Sequence, residues 1–326
     1  MKTQQDFSGT VPVFARKFGE INKDKVFYVI RQPGKNRGLF SLLSSVLCHL
    51  DIAESLCAIP VVDFQNFPCV YNDPDVKEIK NAWEYYFEPV SIYKLEEVYS
   101  SRNVLLSYEH YPKGYSYCIT QENKLNLIYD KYIRFKPNII DIVKDIENCI
   151  FTEKVLGVHF RGQEMRYTLG HWFPPTKKQI KQAINIMIDK YKYNKVFIVS
   201  EDAGLIDFVK KEYHGILFSN NHFRTYGENA YKIKNARHKH FFRLGEEIAI
   251  DCLLLARCDA LIACTSNVAE AARFIKKCSY NAQIKINNGP NNFRNPILLR
   301  YGWYIKNILP SFIGGFNLDL EITEKS

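Results

Sequence analysis

The sequence predicts an α/β fold with two domains, and three observations support this. Apolar strand-like runs alternate with helical patterns along the chain. The connections between them are short, which favours parallel sheets. The length of 326 residues fits about two domains at roughly 150 residues each. We expect domains at residues 1–150 and 151–326, which meet near residues 145–153.

In the first half the pattern alternates between buried strands and helices. Strands are predicted at residues 25–30, 58–63 and 103–107, and helices at residues 39–56 and 139–149. An aromatic cluster precedes the third strand and includes Trp83 and Tyr86. Aromatic clusters usually belong to the core. The alternative is a wall that stacks on the sugar of an acceptor, with Trp83 and Tyr86 as its acceptor-binding residues.

In the second half the alternation is more regular. Strands are predicted at residues 155–160, 195–199, 215–218 and 260–264, and helices at residues 177–191, 203–213, 244–256 and 267–277. Thr176 and Gln179 form a capping box at the start of one helix, and two prolines precede it. The apolar, aromatic segment 295–316 favours a terminal helix packed on the body, with contact to a membrane surface as the alternative.

Composition limits the compartment and the partners. There are 44 Lys and Arg residues against 35 Asp and Glu, a net charge of +9, which favours anionic partners. Nine cysteines without a C-x-x-C pair indicate a reducing compartment rather than disulfides or zinc. No secretory signal or membrane-length apolar run is apparent, so we expect a cytoplasmic protein, with peripheral contact at the inner membrane face as an alternative.

The most informative stretch is residues 155–164, a buried strand that ends in polar residues. Strand alternation places Val158 and Phe160 on one face, and His159 and Arg161 on the other. A basic pair is costly to bury without a partner, and the carboxyl ends of strands are where α/β sheets bind ligands. An anion, best a diphosphate, would satisfy both residues. The alternative is a salt-bridge cluster at the strand end.

Two further strands end in polar residues before a helix. Thr265, Ser266 and Asn267 suit helix capping, and the same geometry directs backbone N–H groups at an anion. In the run from Ser200 to Asp202, the aspartate suits either capping or recognition of a base or ribose hydroxyl. Both interpretations stay open at this point.

Two basic segments have an open role. The turn at residues 31–39 is either a tight glycine turn or a backbone cradle for a second phosphate, with Asn36 and Gly38 as contacts. It is neither a G-x-G-x-x-G motif nor a Walker loop. The polar loop at residues 222–243 is a lid over a donor, a dock for an anionic acceptor, or a solvated loop.

Together these motifs resemble a family. His159 to Glu164 resembles the H-x-R-x-x-D motif of fucosyltransferases with the GT-B fold, which include the α1,6-fucosyltransferases, the Nod-factor fucosyltransferases and the protein O-fucosyltransferases. The run from Ser200 to Asp202 and the run from Cys258 to Asn267 are similar to later motifs of that family and occur in the same order. The resemblance is strong over residues 155–275 and weaker over the first hundred.

The resemblance implies a GT-B fold, two Rossmann-like domains that face a central cleft. It implies an inverting transfer of fucose from GDP-fucose, with no metal or other cofactor, in which Arg161 binds the diphosphate, Asp202 contacts guanine or ribose, and Ser266 with Asn267 holds phosphate or sugar. The predicted donor-binding residues are His159, Arg161, Gly162, Glu201, Asp202, Thr265, Ser266, Asn267, Asn36 and Gly38.

The chain departs from the family at two positions. Glu164 replaces the aspartate of the motif, and Gly162 stands where the α1,6 enzymes have a second arginine. The catalytic residues are therefore predicted as Arg161 with Glu164 as the first choice of general base and His171 as the second.

The predicted activity is transfer of fucose to a hydroxyl of a glycan acceptor, anionic or lipid-linked, in the synthesis of a surface polysaccharide. One alternative is transfer of another sugar, such as heptose or a hexose, from its GDP form. An alternative of another class is a non-catalytic, basic protein that binds nucleotides or nucleic acid. We expect no nucleic-acid partner, because the sequence carries no RRM, KH or helix-turn-helix signature.

Overall fold

The chain forms two compact units, each with its own sheet. The computed structural model describes residues 13–32, 34, 37–108, 123–234 and 236–325, and within these ranges the side chains of Asn123 and Gln163 are not described. One unit combines Met1–Ile142 with Asn235–Ala249. The other combines Val143–Lys234 with Ile250–Ser326.

The first unit is built on a four-stranded sheet. Its elements are β1 (Phe14–Arg16), β2 (Phe27–Arg31), α1 (Leu39–Ser55), β3 (Ile59–Asp63), α2 (Leu95–Val98), β4 (Val104–Leu106), α3 (Asn123–Tyr132) and the start of α4 (Pro137–Ile150). The strand order is β1-β4-β2-β3. Strand β2 is parallel to both β3 and β4, whereas β1 is antiparallel to β4. The sheet is therefore of the parallel α/β type with one added antiparallel strand.

Helix α1 is the central helix of the first unit. Its residues from Leu39 to Ala53 are all buried, which fits a helix that is apolar on most of its faces. The one histidine in this run, His49, has its Nδ1 2.9 Å from the Tyr28 hydroxyl. On the sheet, Phe27 and Val29 pack with Val104 in a separate core cluster.

The second unit is built on a six-stranded sheet. Its elements are β5 (Val155–Phe160), α5 (Lys177–Tyr191), β6 (Lys195–Ser200), α6 (Ala203–Glu212), β7 (Leu217–Phe218), α7 (His240–Arg257), β8 (Ala260–Cys264), α8 (Asn267–Lys276), β9 (Ala282–Ile286), α9 (Pro296–Ile308) and β10 (Ile322–Glu324). The strand order is β10-β9-β8-β5-β6-β7. All pairs are parallel except β10 with β9. This is the doubly wound order of Rossmann folds, with β5 in the centre.

Both faces of β5 are covered. Leu156, Val158 and Phe160 are fully buried in one core cluster with side chains of α5 and α6. On the other face Gly157 leaves room for α7, because a Cβ there would lie 3.0 Å from the Cys258 Sγ. The predicted alternation of this strand is thus confirmed, and His159 belongs to the α7 side.

The predicted helix with a capping box is present. Helix α5 spans the predicted residues. The Thr176 Oγ1 accepts from the Gln179 N–H at 3.1 Å, and the Gln179 Oε1 accepts from the Thr176 N–H at 2.9 Å. Helix α7 begins at His240, four residues before its predicted start, and β9 with β10 was not predicted.

The first turns of α7 belong to the first unit. Asp73 Oδ2 accepts hydrogen bonds from the backbone N–H groups of Phe241 and Phe242, at 2.8 and 3.1 Å. These bonds satisfy donors at the start of a helix, which have no partner inside it. The predicted boundary near residue 150 divides the chain only once, so it assigned these turns of α7 to the second domain. In the structure they belong to the first unit.

The aromatic cluster of the first unit is core, which corrects the acceptor-site interpretation of Trp83 and Tyr86. Their side chains are 2 % and 1 % exposed. Trp83 stacks on Phe87 with centroids 4.2 Å apart, and Tyr86 stacks on Phe242. The Tyr86 hydroxyl donates to the Phe242 carbonyl at 2.9 Å. With both ring faces covered, neither residue presents a surface to a sugar.

Within the described residues no helix is long and apolar enough to cross a bilayer.

Replacing Gly245 by alanine is expected to destabilise the protein. Gly245 lies in α7, and a Cβ there would overlap the ring and hydroxyl of Tyr86. Overpacking of a core costs about 1–3 kcal/mol, while the gain in helix propensity returns at most about 1 kcal/mol. We expect the free energy of unfolding to fall by about 1–2 kcal/mol in urea denaturation.

A matched control is Gly204→Ala in α6. There the nearest atoms to a new Cβ are the Asp202 Oδ1 at 3.4 Å and the Tyr226 Cδ1 at 3.6 Å, which are ordinary contacts. We expect this variant to keep or raise stability by about 0.5–1 kcal/mol. If Gly245→Ala were as stable as the control, the packing of Tyr86 against α7 would be disproved.

Candidate functional site

Parallel pairing brings the three polar strand ends of the second unit to one edge of its sheet. In the register, His159 pairs with Val199 of β6 and with Ala263 of β8. Arg161, Glu201 and Thr265 therefore follow three adjacent strand ends. The chain runs from β5 to β6 and β7 on one side, and β8 and β9 lie on the other. The point between β5 and β8 is where such sheets bind ligands.

His159 is buried beneath this edge and is neutral. Burial, followed by the neighbouring Arg161 charge, lowers the pKa of His159 to about 4. Its Nδ1 lies 3.5 Å from the Ser266 Oγ. The sequence predicted a basic pair, but only Arg161 carries a charge at neutral pH. A neutral imidazole keeps one N–H that can donate to a ligand.

Arg161 presents its guanidinium at this edge of the sheet. It is half-buried, and its guanidinium forms no hydrogen bond or ion pair with any residue that the structure describes. It follows directly after β5, which is paired with β6 on one side and with β8 on the other. A planar fork held on a rigid strand end suits bidentate binding of a phosphate. This is the role that the sequence predicted for it.

Gly162 and Glu201 fit each other closely. The Glu201 Oε1 accepts from the Gly162 N–H at 2.8 Å. A Cβ on Gly162 would lie 2.7 Å from the Glu201 Cγ, closer than real Cβ atoms come. Any side chain at position 162 would displace the glutamate. This hydrogen bond links the end of β5 to the end of β6. Glu201 therefore stabilises the turn that follows Arg161.

Glu164 has the altered acidity of a general base. It lies in the 3-10 helix Gln163–Tyr167 that follows β5. Burial, followed by the nearby Glu201 charge, raises the pKa of Glu164 to about 7. Arg161 and Lys232 oppose this shift without cancelling it. A carboxyl with a pKa near the working pH accepts a proton readily and remains partly ionised.

The start of α8 offers unpaired polar groups. Ser266 is the N-cap, and its Oγ accepts from the Ala269 N–H at 3.0 Å. Among the described residues, the N–H groups of Asn267 and Val268 have no partner, as expected for the first turn of a helix. The Asn267 Oδ1 is buried and also lacks a partner there. Thr265 is half-buried beside this turn. Free amides at a helix start bind anions.

Asp202 caps the helix that follows β6. It is the N-cap of α6, and its Oδ1 accepts from the Leu205 N–H at 2.9 Å. Its own N–H donates to the Ser200 Oγ at 3.2 Å. Of the two roles left open by the sequence, capping is confirmed, and contact with a base or ribose stays a prediction.

The polar loop after β7 is anchored at Arg224, one of several cations in the segment 222–243. Its guanidinium donates to the carbonyls of Ser200 at 3.1 Å, His222 at 3.0 Å and Asn220 at 2.7 Å. Arg224 therefore holds the loop against the end of β6. No sequence signal separates it from its neighbours in the loop.

Asp251 is a second polar residue near the site that sequence reasoning missed. It is buried in α7 and accepts from the Asn220 Nδ2 at 2.6 Å, while the His222 Nδ1 lies 3.1 Å away. A lone carboxylate inside the apolar run of α7 was the available signal. Asp251 and Arg224 together fix the first part of the loop on the second unit.

The remaining predicted residues are Asn36, Gly38 and His171. Asn36 lies outside the described residues. Gly38 is the exposed N-cap of α1 in the first unit, and its carbonyl accepts from the Ser41 N–H at 2.9 Å. Gly34 has a φ of +122°, a backbone conformation that favours glycine at this position. His171 is exposed, and its carbonyl accepts from the Asn291 N–H at 2.7 Å. A catalytic role for His171 stays a prediction.

In the part of the chain that the structure describes, no group of three or more His, Cys, Asp or Glu side chains is arranged to hold a metal ion.

Comparison with known proteins gives structural matches only. No protein-family model matches the chain, and no curated protein matches it. NodZ α-1,6-fucosyltransferase soaked with GDP-fucose is similar with a TM-score of 0.55 and 16 % identity, over 93 % of this chain and 100 % of that chain. NodZ α-1,6-fucosyltransferase co-crystallised with GDP is similar with a TM-score of 0.53 and 18 % identity, over 81 % of this chain and 96 % of that chain.

The structure of the fucosyltransferase NodZ from Bradyrhizobium gives a TM-score of 0.52 at 18 % identity, over 81 % of this chain and 96 % of that chain. At such identities a likeness establishes the fold. The parallel sheets of both units agree with it. The chain has the GT-B fold of these fucosyltransferases, as the sequence motifs predicted.

Proposed function

We propose that the protein is a glycosyltransferase that moves fucose from GDP-fucose to a hydroxyl of a glycan acceptor, with inversion at the anomeric carbon. The observation that carries the proposal is the free guanidinium of Arg161, which lies at the switch point of the sheet beside the open start of α8. The solved structures with the same fold were obtained with GDP and GDP-fucose.

The diphosphate is bound by Arg161 and by the free N–H groups of Asn267 and Val268. The guanidinium supplies one full charge, and the start of α8 adds the positive end of a helix dipole. His159 contributes a neutral N–H from below. The site thus offers an anion a charged guanidinium, free backbone amides and a neutral imidazole N–H.

The nucleoside and the sugar use acceptors at the starts of α6 and α8. Asp202, which caps α6, is proposed to accept from guanine or from a ribose hydroxyl as well, because a carboxylate has about four lone-pair positions. The orphaned Asn267 Oδ1 is proposed to accept from a hydroxyl of the sugar, since a buried acceptor is costly to leave unpaired.

Glu164 is proposed as the general base. Its carboxylate takes the proton of the acceptor hydroxyl, whose oxygen attacks the anomeric carbon in line. The bond from that carbon to the diphosphate oxygen breaks, and GDP leaves with the electron pair. Arg161 stabilises the charge that develops on the leaving oxygen. The attack from the opposite face inverts the anomeric carbon.

The donor is tested first by nucleotide selectivity. We expect calorimetry to show that GDP binds more tightly than UDP, ADP or CMP, because Asp202 accepts from the N–H donors of guanine. We also expect slow release of GDP from GDP-fucose without acceptor. Equal binding of the four nucleotides, or no hydrolysis across GDP-fucose, GDP-heptose and GDP-hexoses, would contradict the proposal.

Arg161→Ala is expected to remove donor turnover while the fold stays intact. Loss of a charged hydrogen-bond donor should weaken GDP binding by about 2–3 kcal/mol and turnover by roughly a hundredfold or more. The measurements are GDP calorimetry and GDP release, with circular dichroism as the check on folding. Arg294→Ala, at an exposed arginine of the same unit, is the control and should behave as wild type. Retained activity in Arg161→Ala would refute the diphosphate assignment.

Glu164→Gln is expected to lower turnover by about 10²–10⁴-fold with GDP affinity nearly unchanged, because the variant cannot take a proton. In the wild type, kcat/KM should fall as the pH drops through about 7, where Glu164 becomes protonated and inactive as a base. The measurement is a pH profile of transfer for both proteins. A wild-type profile that stays flat through this range would exclude Glu164 as the base.

Glu201→Gln provides a matched control for the pKa of Glu164. Its amide oxygen still accepts from the Gly162 N–H, but the negative charge that raises the Glu164 pKa is gone. We therefore expect the acidic limb of the pH profile to move to lower pH. A limb that does not move would show that another group titrates.

Metal independence stays a prediction. We expect full turnover in the presence of EDTA, because Arg161 and the α8 amides supply the positive charge that the diphosphate needs.

A further inference from the structure

The terminal helix α9 carries a continuous apolar stripe that faces solvent. The exposed large side chains follow a helical spacing along one face and continue into the turn after the helix; they are Ile297, Leu298, Tyr301, Tyr304, Ile305, Ile308, Phe312 and Ile313. Spacing of one, three or four residues places them on one face of a helix. Ile308 and Phe312 are 81 % and 85 % exposed. Contiguous exposed apolar surface marks an interaction site.

The stripe is not a sign of a loosely held helix. The opposite face of α9 is firmly packed: Trp303 is buried, and its Nε1 donates to the Pro174 carbonyl at 2.8 Å. Gly302 lets the ring of Phe293 approach, since a Cβ there would lie 2.5 Å from its Cε2. Phe316 closes the same cluster. The helix thus has one satisfied apolar face and one exposed face.

The charges of α9 and the turn after it favour an anionic partner. Residues 294–318 contain Arg294, Arg300 and Lys306 and no aspartate or glutamate. Helices that lie in the interface of a bilayer with anionic lipids carry apolar and aromatic side chains on one face and cations beside them. A second copy of the same face would bring like charges together.

We propose that α9 and the turn after it dock the protein on the surface of an anionic lipid bilayer. The helix lies flat, with its stripe in the headgroup region and its cations at the lipid phosphates. This proposal does not depend on the donor or on the reaction.

The docking helix contacts the segment that carries Glu164. The Tyr304 hydroxyl is 2.9 Å from the Tyr167 hydroxyl, and Arg166 donates to Tyr304 at 3.1 Å. The guanidinium carbon of Arg166 lies 4.0 Å from the Trp303 ring centroid. Docking at α9 therefore brings the strand-end site of the second unit close to the bilayer.

The test is co-sedimentation of the full chain with vesicles. We expect binding to phosphatidylcholine vesicles that contain phosphatidylglycerol, weaker binding to phosphatidylcholine alone, and loss of binding at high salt because exposed charges are screened. The variant Ile308→Glu with Phe312→Glu should bind about tenfold less or weaker still, since two apolar anchors become anionic. Both side chains are exposed, so folding is not at risk.

The matched control changes two equally exposed apolar residues of the first unit, Ile92→Glu with Leu127→Glu, which are 90 % and 71 % exposed. It adds the same charge and should keep most of the binding. Three results would overturn the proposal: no binding of wild type to anionic vesicles at low salt, equal loss in both double variants, or a wild-type dimer that only Ile308→Glu with Phe312→Glu dissociates. Release of GDP in solution should be the same in all three proteins, which separates this test from that of the reaction.

Discussion

The candidate site depends on the parallel pairing of β5 with β6 on one side and β8 on the other. That pairing fixes which residues leave the sheet at the same edge. A slip by one residue would exchange the faces of His159 and Phe160 and place the Phe160 ring beneath the strand-end site. The fully buried cluster of Leu156, Val158 and Phe160 prevents such a slip. The packing of the core therefore determines the position of Arg161.

The electrostatics of the edge follow from this placement. His159 is so deeply buried beside Arg161 that it is neutral, which leaves one cation where two would repel each other. Burial of Glu164, with the nearby Glu201 charge, raises its pKa, and the Arg161 charge opposes this shift without cancelling it. The protonation of both His159 and Glu164 therefore depends on their depth of burial as well as on the neighbouring charges.

Sequence reasoning predicted what local patterns determine. The capping box placed α5 correctly, and apolar runs with polar ends placed β5, β6 and β8. It failed where distant contacts decide. The early start of α7 depends on Asp73, more than a hundred residues away. The covering of Tyr86 by Phe242 likewise depends on a distant residue, and the neutrality of His159 depends on depth of burial, which strand alternation does not measure.

The two positions at which the chain departs from the motif it resembles, Gly162 and Glu164, are linked through Glu201. A Cβ at position 162 would lie 2.7 Å from the Glu201 Cγ, closer than real Cβ atoms come. The carboxylate instead binds the Gly162 N–H, and from that position it raises the pKa of Glu164. Glycine at position 162 thus leaves room for the carboxylate that, after burial, contributes most to the raised pKa of Glu164. An arginine introduced at position 162 would displace that carboxylate and place a cation near Glu164, so both changes would lower the pKa of Glu164.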